Sequence, residues 1–501
     1  MTESIIKRFE RTIKESWDFP AITNYGSGTT YTYGDIARAA ACLHATFREL
    51  GIMPGDRIVL CDRNLRNWVT AMVGIITYGA VGVPLMTEFT DQQLINICEH
   101  SDAKFLFGGR RTAGLWEEGK CPMHRIDLSE VLRMASDDFG PEDVKYREEN
   151  PDDLMILSYT SGSTGSPKGV MLPYRSFLSN AGYVVSNPNL PVHGRDLVVL
   201  PLAHMFGFTC DFLGSMLNGS HITILTKLPV PSLFLQAIKD VRPDRLYTVP
   251  LIMEKLAKSP NRDSMLEFIR ESSVKEIIMG GASLNREAEI LLHDKGIKYS
   301  VGYGMTECGP LICHSFWPDI KVGSCGRPVT GMEVRILSED PQNIPGEILA
   351  RGQNVMLGYY KNPEATAETL DAGGWLHTGD LGVVDSDGYL FIRGREKNMI
   401  LTSNGQNIYP EEVEEQIITH SPFEESVVLC RAGRLIGLVY VSNSRLEQLG
   451  KSREDLDKSL KEHCAEINKY LPAFSKLAEL VQKYEEFEKT PKRSIRRYLY
   501  R

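Results

Sequence analysis

Between Ser158 and Met171 the chain reads Ser-Tyr-Thr-Ser-Gly-Ser-Thr-Gly-Ser-Pro-Lys-Gly-Val-Met, with one cation, at Lys168. Glycines permit close backbone approach, the Ser and Thr hydroxyls add donors, and Lys168 brings a mobile positive charge. A loop so composed can gather N–H groups around phosphate oxygens. The apolar run Leu154–Leu157 before it reads as a strand, and a helix is expected from about Tyr174. Strand, loop and helix in that order predict an anion held near a helix N-terminus. A flexible Ser/Gly linker has a similar composition, but the Pro167-Lys168 end and the buried-looking strand argue against it. The Walker A spelling is absent, because Lys168 follows Pro167 and precedes Gly169. An ordinary P-loop ATPase or GTPase is therefore disfavoured.

The elements around this loop set its context. At 501 residues the chain is long enough for two or more domains. Its 42% hydrophobic and 24% charged content suit a globular enzyme, and a net charge of −9 argues against nucleic-acid binding. The ten cysteines include no C-x-x-C pair, which fits a reducing, cytoplasmic setting. Met1–Trp17 lacks the apolar core of a signal peptide. Trp68–Met86 carries no charge, yet holds Gly74, Gly79, Gly82 and Pro84, and reads as a buried helix turning into a strand. Peripheral membrane contact stays open.

From about residue 150 to 305, strand-like runs (Leu197–Leu200, Ile222–Leu225, Leu246–Val249, Glu276–Met279) alternate with helix-like stretches (Phe206–Leu217, Ser232–Val241, Arg286–Asp294). That alternation predicts βα units on parallel sheets. After Gly323, short runs between Gly and Pro turns (Glu333–Ile336, Glu347–Ala350, Tyr389–Ile392) predict a small β-barrel-like region. A third piece starts near Arg395. The expected fold is α/β, with a large N-terminal domain of βα-layered sheets, 1–394, and a small mobile α+β C-terminal domain, 395–501. The six basic residues between Lys489 and Arg501 are expected to be solvated.

The Ser158–Met171 loop resembles the signature loop of the adenylate-forming superfamily of acyl-CoA synthetases, luciferases and peptide-synthetase adenylation domains. Other segments match that family in order: Gly280-Gly-Ala-Ser283, Val301-Gly-Tyr-Gly-Met-Thr-Glu307, Trp375-Leu-His-Thr-Gly-Asp380, Gly394-Arg-Glu-Lys397 and Thr402-Ser-Asn-Gly-Gln-Asn-Ile-Tyr-Pro-Glu-Glu412. The last spelling resembles long-chain fatty acyl-CoA ligases most. The resemblance implies ATP, Mg²⁺ and coenzyme A as cofactors. It implies nucleotide contacts from Thr160, Ser161, Gly162, Ser163, Thr164 and Gly165, and catalytic roles for Lys168, Thr306 and Glu307. Gly281, Ala282, Ser283, Tyr303 and Gly304 would pack about the nucleotide, with Asp380 and Arg395 on ribose or α-phosphate. Thr160 and Glu307 would hold Mg²⁺, which needs only one or two carboxylates beside phosphate. Lys397 is the implied hinge, and Gly405 the residue that lets the pantetheine arm pass.

In Pro201-Leu-Ala-His204-Met-Phe-Gly-Phe the resemblance places His204, Met205 and Phe208 on the acid-binding side. Amino-acid-activating relatives carry an aspartate where Met205 stands, so α-amino acids are disfavoured, since an unpaired buried ammonium is costly. Phe206, Phe208, Phe212, Leu213 and Met216 either line a fatty-acyl tunnel or form core. At the C-terminus the family's lysine aligns with Ser494, and Lys492 or Arg493 must supply the missing charge. Such a contact is worth roughly 10²–10³ in rate, and Lys492 is the expected substitute. The activity expected is an ATP-dependent ligase joining a medium- or long-chain fatty acid to coenzyme A through an acyl-adenylate. Alternatives are a carrier-protein phosphopantetheine as acceptor, an aromatic acid as substrate, or a weakened nucleotide- or acyl-CoA-binding protein.

Overall fold

The computed structural model describes residues 3–63, 65–108, 124–126, 138–160, 168–225, 229–401, 407–431, 433–489 and 495–500. Two compact units emerge. The first comprises 1–284, 291–334 and 350–376; the second comprises 285–290, 335–349 and 377–501. The 394/395 junction expected from the sequence lies inside the second.

Two seven-stranded sheets organise the first unit. One runs in the order Tyr299–Val301, Glu276–Met279, Arg245–Thr248, Arg195–Val198, His221–Ile224, Pro20–Asn24 and Thr30–Thr32, and every pairing is parallel except the last. Its inner strands are short and almost entirely buried, as sheets covered on both faces require, and several open on a charged or polar residue (Arg195, Arg245, Glu276, His221). The second sheet runs Gly358–Tyr359, Lys168–Pro173, Leu154–Thr160, Val81–Pro84, Arg57–Cys61, Phe105–Gly108 and His124–Ile126. Trp68–Met86 does turn from a buried helix into a core strand. Helix Arg66–Tyr78 ends at Gly79, whose φ of 84° only glycine adopts readily, and Val81–Pro84 follows. No helix among the described residues is long and apolar enough to cross a membrane.

One expectation changes. Lys168–Pro173 is a strand antiparallel to Leu154–Thr160, with Thr160 opposite Lys168, and the helix follows it at Tyr174, where the sequence predicts it. The signature loop therefore joins two hairpin strands instead of leading into a helix. The run Lys168-Gly-Val-Met-Leu-Pro has β-branched and apolar residues on a sheet that can bury them, and Pro173 ends it.

The second unit carries all but residues 332–334, 350–352 and 376 of a four-stranded sheet (Met332–Leu337, Gly346–Gly352, Leu376–Val384, Leu390–Arg395), and a three-stranded one (Glu425–Arg431, Arg434–Tyr440, Leu477–Lys483) with helices Pro410–Thr419 and Arg453–Ile467. Ile408, Val413, Ile417, Phe423, Val439 and Ile467 form its core. Here the basic tail departs from the solvated run expected. Lys489 pairs with Glu425 and Glu486, while Arg497 donates from Nη1 to the buried Glu414 at 2.7 Å. A buried carboxylate demands such a partner, and composition alone does not reveal it.

Candidate active site

The first unit brings Lys168 and Glu307 to one tyrosine. Lys168 opens its strand half-buried, and its Nζ lies 4.9 Å from the centre of the Tyr359 ring. The Tyr359 hydroxyl donates to Glu307 Oε1 at 2.9 Å. Glu307 is 9% exposed and sits with Thr306 in a short 3-10 turn, Thr306–Cys308, that follows Tyr303–Gly304. A Cβ on Gly304 would lie 1.9 Å from the Pro310 carbonyl oxygen, so this close approach requires glycine. The turn is stapled from behind. Asn180 donates from Nδ2 to the Cys308 carbonyl at 2.9 Å and accepts from the Leu311 N–H at 2.9 Å. Asn354 donates to the Leu311 carbonyl at 2.7 Å, and Thr209 donates to the Gly309 carbonyl at 2.8 Å. All three are buried, and their bonds to the main chain on either side of Pro310 hold the turn, with Asn354 Oδ1 left without a partner among the described residues.

Cys308 and Cys313 are fully buried beside this turn, and burial pushes both thiols well up, which marks them as packing residues. Gly281, Ala282 and Ser283 are exposed just past strand Glu276–Met279, and no atom lies within 4 Å of a Cβ built on Gly281. The C-terminal edge of a parallel sheet is where α/β folds bind ligands. Thr160 ends its strand half-buried, opposite Lys168. Ser161, Gly162, Ser163, Thr164 and Gly165 lie outside the described residues, as do Gly405, Lys492, Arg493 and Ser494.

Of the residues expected on the acid side, His204 is half-buried and accepts the Phe206 N–H on Nδ1 at 3.3 Å. The segment that follows is a π-helix, Gly207–Leu213, a form frequent at functional sites. Met205 is buried, and Phe208 is fully buried with its ring 5.3 Å from both Phe177 and Phe212 and 6.3 Å from Trp68. Asp211, in the same π-helix, faces a buried charged pair: Arg245 Nη2 bonds Asp196 Oδ2 at 2.6 Å and Ser215 Oγ at 2.9 Å. Burial and the neighbouring Asp196 carboxylate drive the Asp211 carboxyl well up, toward its neutral form. Phe206 contacts Tyr247 edge-on at 5.9 Å, so apolar and polar layers adjoin.

Within the second unit, Asp380 is 6% exposed and its Oδ1 takes a bond from Arg395 Nε at 2.9 Å. Strand pairing puts the two residues directly opposite each other. Lys397 is exposed in the turn Glu396–Asn398.

Sequence reading missed Tyr359, Asn180, Asn354 and Thr209. Only Tyr359 had a signal, an aromatic inside Gly-Tyr-Tyr-Lys with no apolar alternation to explain it; the others act through contacts distant in sequence.

Residues 9–360 match the AMP-binding enzyme family, and residues 397–500 match the AMP-binding enzyme C-terminal domain. A 4-coumarate–CoA ligase of Solanum tuberosum is 32% identical over 438 residues, covering 82% of this chain and 78% of its own. One of Humulus lupulus is 31% identical over 459 residues, covering 86% and 82%. Two solved structures share the fold. An O-succinylbenzoate coenzyme A synthetase of Bacillus subtilis holding AMP has a TM-score of 0.82 at 22% identity, over 98% of this chain and 97% of that one. An anthranilate CoA ligase holding anthranoyl-AMP has a TM-score of 0.84 at 21% identity, over 99% and 96%. These relatives are named for aromatic acids, and the expected leaning toward long-chain fatty acyl-CoA ligases finds no support among them. ATP, Mg²⁺ and coenzyme A are the standard substrates and cofactors of AMP-binding CoA ligases. The chain belongs to the AMP-binding enzyme family, as an AMP-forming acid–CoA ligase that works through an adenylate.

Proposed function

We propose that this ligase activates an aromatic acid, of the aryl-propenoic kind represented by 4-coumarate, and transfers it to coenzyme A. The observation that carries this reading is the similarity to 4-coumarate–CoA ligases over four-fifths of the chain. The acid side supports it. A long alkyl chain needs a continuous apolar tunnel, and past Phe206 the described residues put Phe208, Phe212 and Trp68 in mutual contact, with the buried Asp196–Arg245 ion pair and the Asp211 carboxyl nearby. Desolvated charge is a poor neighbour for alkyl groups.

In the first step a carboxylate oxygen of the acid attacks the α-phosphorus of ATP and pyrophosphate leaves, giving the acyl-adenylate. In the second, the coenzyme A thiol attacks the acyl carbon and AMP leaves. Both reactants of the first step are anions, so the site must offset charge as the bond forms. We assign that to Lys168 and the donors of the 160–165 segment, with Thr306 on the α-phosphate and Lys492 closing the site in place of Ser494. Glu307 suits Mg²⁺: it is a hard carboxylate at a buried turn, one oxygen of which is oriented by the Tyr359 hydroxyl. Mg²⁺ held by Glu307 and Thr160 supplies neutralisation of the phosphate charge. Gly281, Ala282, Ser283, Tyr303 and Gly304 flank the nucleotide, and Asp380 and Arg395 take the ribose and α-phosphate. His204 and Met205 flank the acid, with Phe208 in the layer behind. The carboxy-terminal piece, 395–501, is assigned the rotation between the two steps about Lys397, with Gly405 beside the pantetheine arm.

Acid-dependent pyrophosphate release, measured with hydroxycinnamates, benzoates and fatty acids of eight to sixteen carbons at about equal concentration, tests the substrate class. Hydroxycinnamates are expected to exceed fatty acids at least tenfold in kcat/KM, about 1.4 kcal/mol of discrimination. A fatty acid at the top of that series overturns the aromatic reading. Replacing free coenzyme A with a holo-carrier protein in the same assay decides the acceptor.

A further inference from the structure

Tyr359 touches both charged groups of the nucleotide side, and nothing in its sequence neighbourhood requires a tyrosine. Its main chain is fixed on both sides. Gly358–Tyr359 pairs antiparallel with Val170–Met171, the Tyr360 N–H donates to the Gly169 carbonyl at 2.7 Å, and the Tyr359 N–H donates to Thr366 Oγ1 at 2.9 Å. The Met356 N–H donates to the carbonyl of Glu307 itself at 2.9 Å. Gly358 has a φ of 138°, and a Cβ there would lie 2.7 Å from Thr366 Cγ2, so the bend that aims Tyr359 depends on glycine. The side chain is 7% exposed. Its hydroxyl orients Glu307, and its ring face lies under the Lys168 ammonium, within the range of a cation–π contact.

We propose that Tyr359 is a positioning residue for adenylation, holding the Glu307 carboxylate in one rotamer through its hydroxyl and parking the Lys168 ammonium over its ring. This rests on the roles assigned above to Glu307 and Lys168. Holding both groups before the nucleotide arrives removes reorganisation that the transition state would otherwise need. It also leaves the second Glu307 oxygen with a defined direction, suited to a hard cation.

Tyr359→Phe keeps the ring and the packing and deletes only the donor; Tyr359→Leu deletes both contacts. For Tyr359→Phe, acid-dependent pyrophosphate release is expected to fall about tenfold, the scale of one hydrogen bond to a charged group. The Mg²⁺ concentration needed for half of the ATP-induced rise in melting temperature is expected to increase several-fold. That second readout registers cation binding without turnover. In a Glu307→Gln background, itself expected to lose a hundredfold or more, Tyr359→Phe is expected to change the rate less than about twofold, because the charged carboxylate that the hydroxyl orients is gone. Tyr359→Leu is expected to weaken ATP binding beyond Tyr359→Phe, with the difference vanishing in Lys168→Met. If Glu307→Gln is impaired while Tyr359→Phe matches the parent in rate and Mg²⁺ midpoint, the positioning role is overturned. Equal losses from Tyr359→Phe with and without Glu307→Gln overturn it too. A fully active Glu307→Gln instead overturns the reading of Glu307 and the inference with it.

Discussion

Glu307 in the first unit and Arg395 in the second are presented in opposite ways. In the first, Glu307 is buried, bonded to a phenol, and carried on a turn stapled by Asn180, Asn354 and Thr209. In the second, the Arg395 side chain is 56% exposed, paired with Asp380 only across a hairpin, and Lys397 is exposed two residues on. A buried charge without its partners costs several kcal/mol, so the Glu307 setting tolerates one geometry. The Arg395 guanidinium, largely in solvent although Asp380 opposite it is buried, gives up less on exchanging that partner for a ligand. The difference separates a site that must be preorganised from groups that meet different ligand atoms in the two steps of the proposed reaction.

The sharpest way to break this contrast is Glu307→Gln. Loss of one preorganised charge contact is expected to lower acid-dependent pyrophosphate release by roughly 10²–10³, and a loss below tenfold would remove the distinction. Arg395→Ala comes next. A loss of about tenfold to a hundredfold in overall turnover is expected, a larger effect than the fall in melting temperature that comes from leaving the buried Asp380 without this partner. Destabilisation of the fold outweighing the loss of turnover would show that Arg395 belongs to the scaffold.

The smallest effect concerns pH and the buried scaffold of the first unit. Burial lowers His314 to about 3 and His44 to about 4, so both are neutral in the folded protein. Tyr183 and Ser300 bond the two ring nitrogens of His314, at 3.0 and 2.9 Å. Below an unfolded value near 6.5 the unfolded chain binds protons that the folded chain refuses, so stability is complete above about pH 6.5 and declines as pH falls toward the folded values. The decline is on the order of 1 kcal/mol per histidine per pH unit. Thermal denaturation from pH 7 to 5 is expected to show it, and His314→Gln is expected to reduce the slope. An unchanged slope would place the titration elsewhere.

Legibility in the sequence followed the range of the contacts. Strands Glu276–Met279 and Arg245–Thr248 and the helix from Tyr174 were readable because local patterning and punctuation define them. Lys168–Pro173 was not read as a strand, because its pairing partners, Leu154–Thr160 and Gly358–Tyr359, determine it more than its own residues do. Asp211 lies among apolar neighbours, and nothing in its own segment places it. Only packing puts it beside Asp196 and Arg245, and the same packing lifts its carboxyl.

The sequence by itself determined the chemistry available: a loop of small donors with one lysine, a carboxylate after a glycine-rich strand end, and an aspartate and an arginine, Asp380 and Arg395, whose motif spellings imply a nucleotide. These are properties of residue type and short spacing, which covalent geometry carries. The tertiary structure alone decided that Lys168 and Glu307, far apart along the chain, share Tyr359, and that the charges near the acid side are buried. Such contacts depend on strand pairing and on the exclusion of water, and neither is encoded within any one segment.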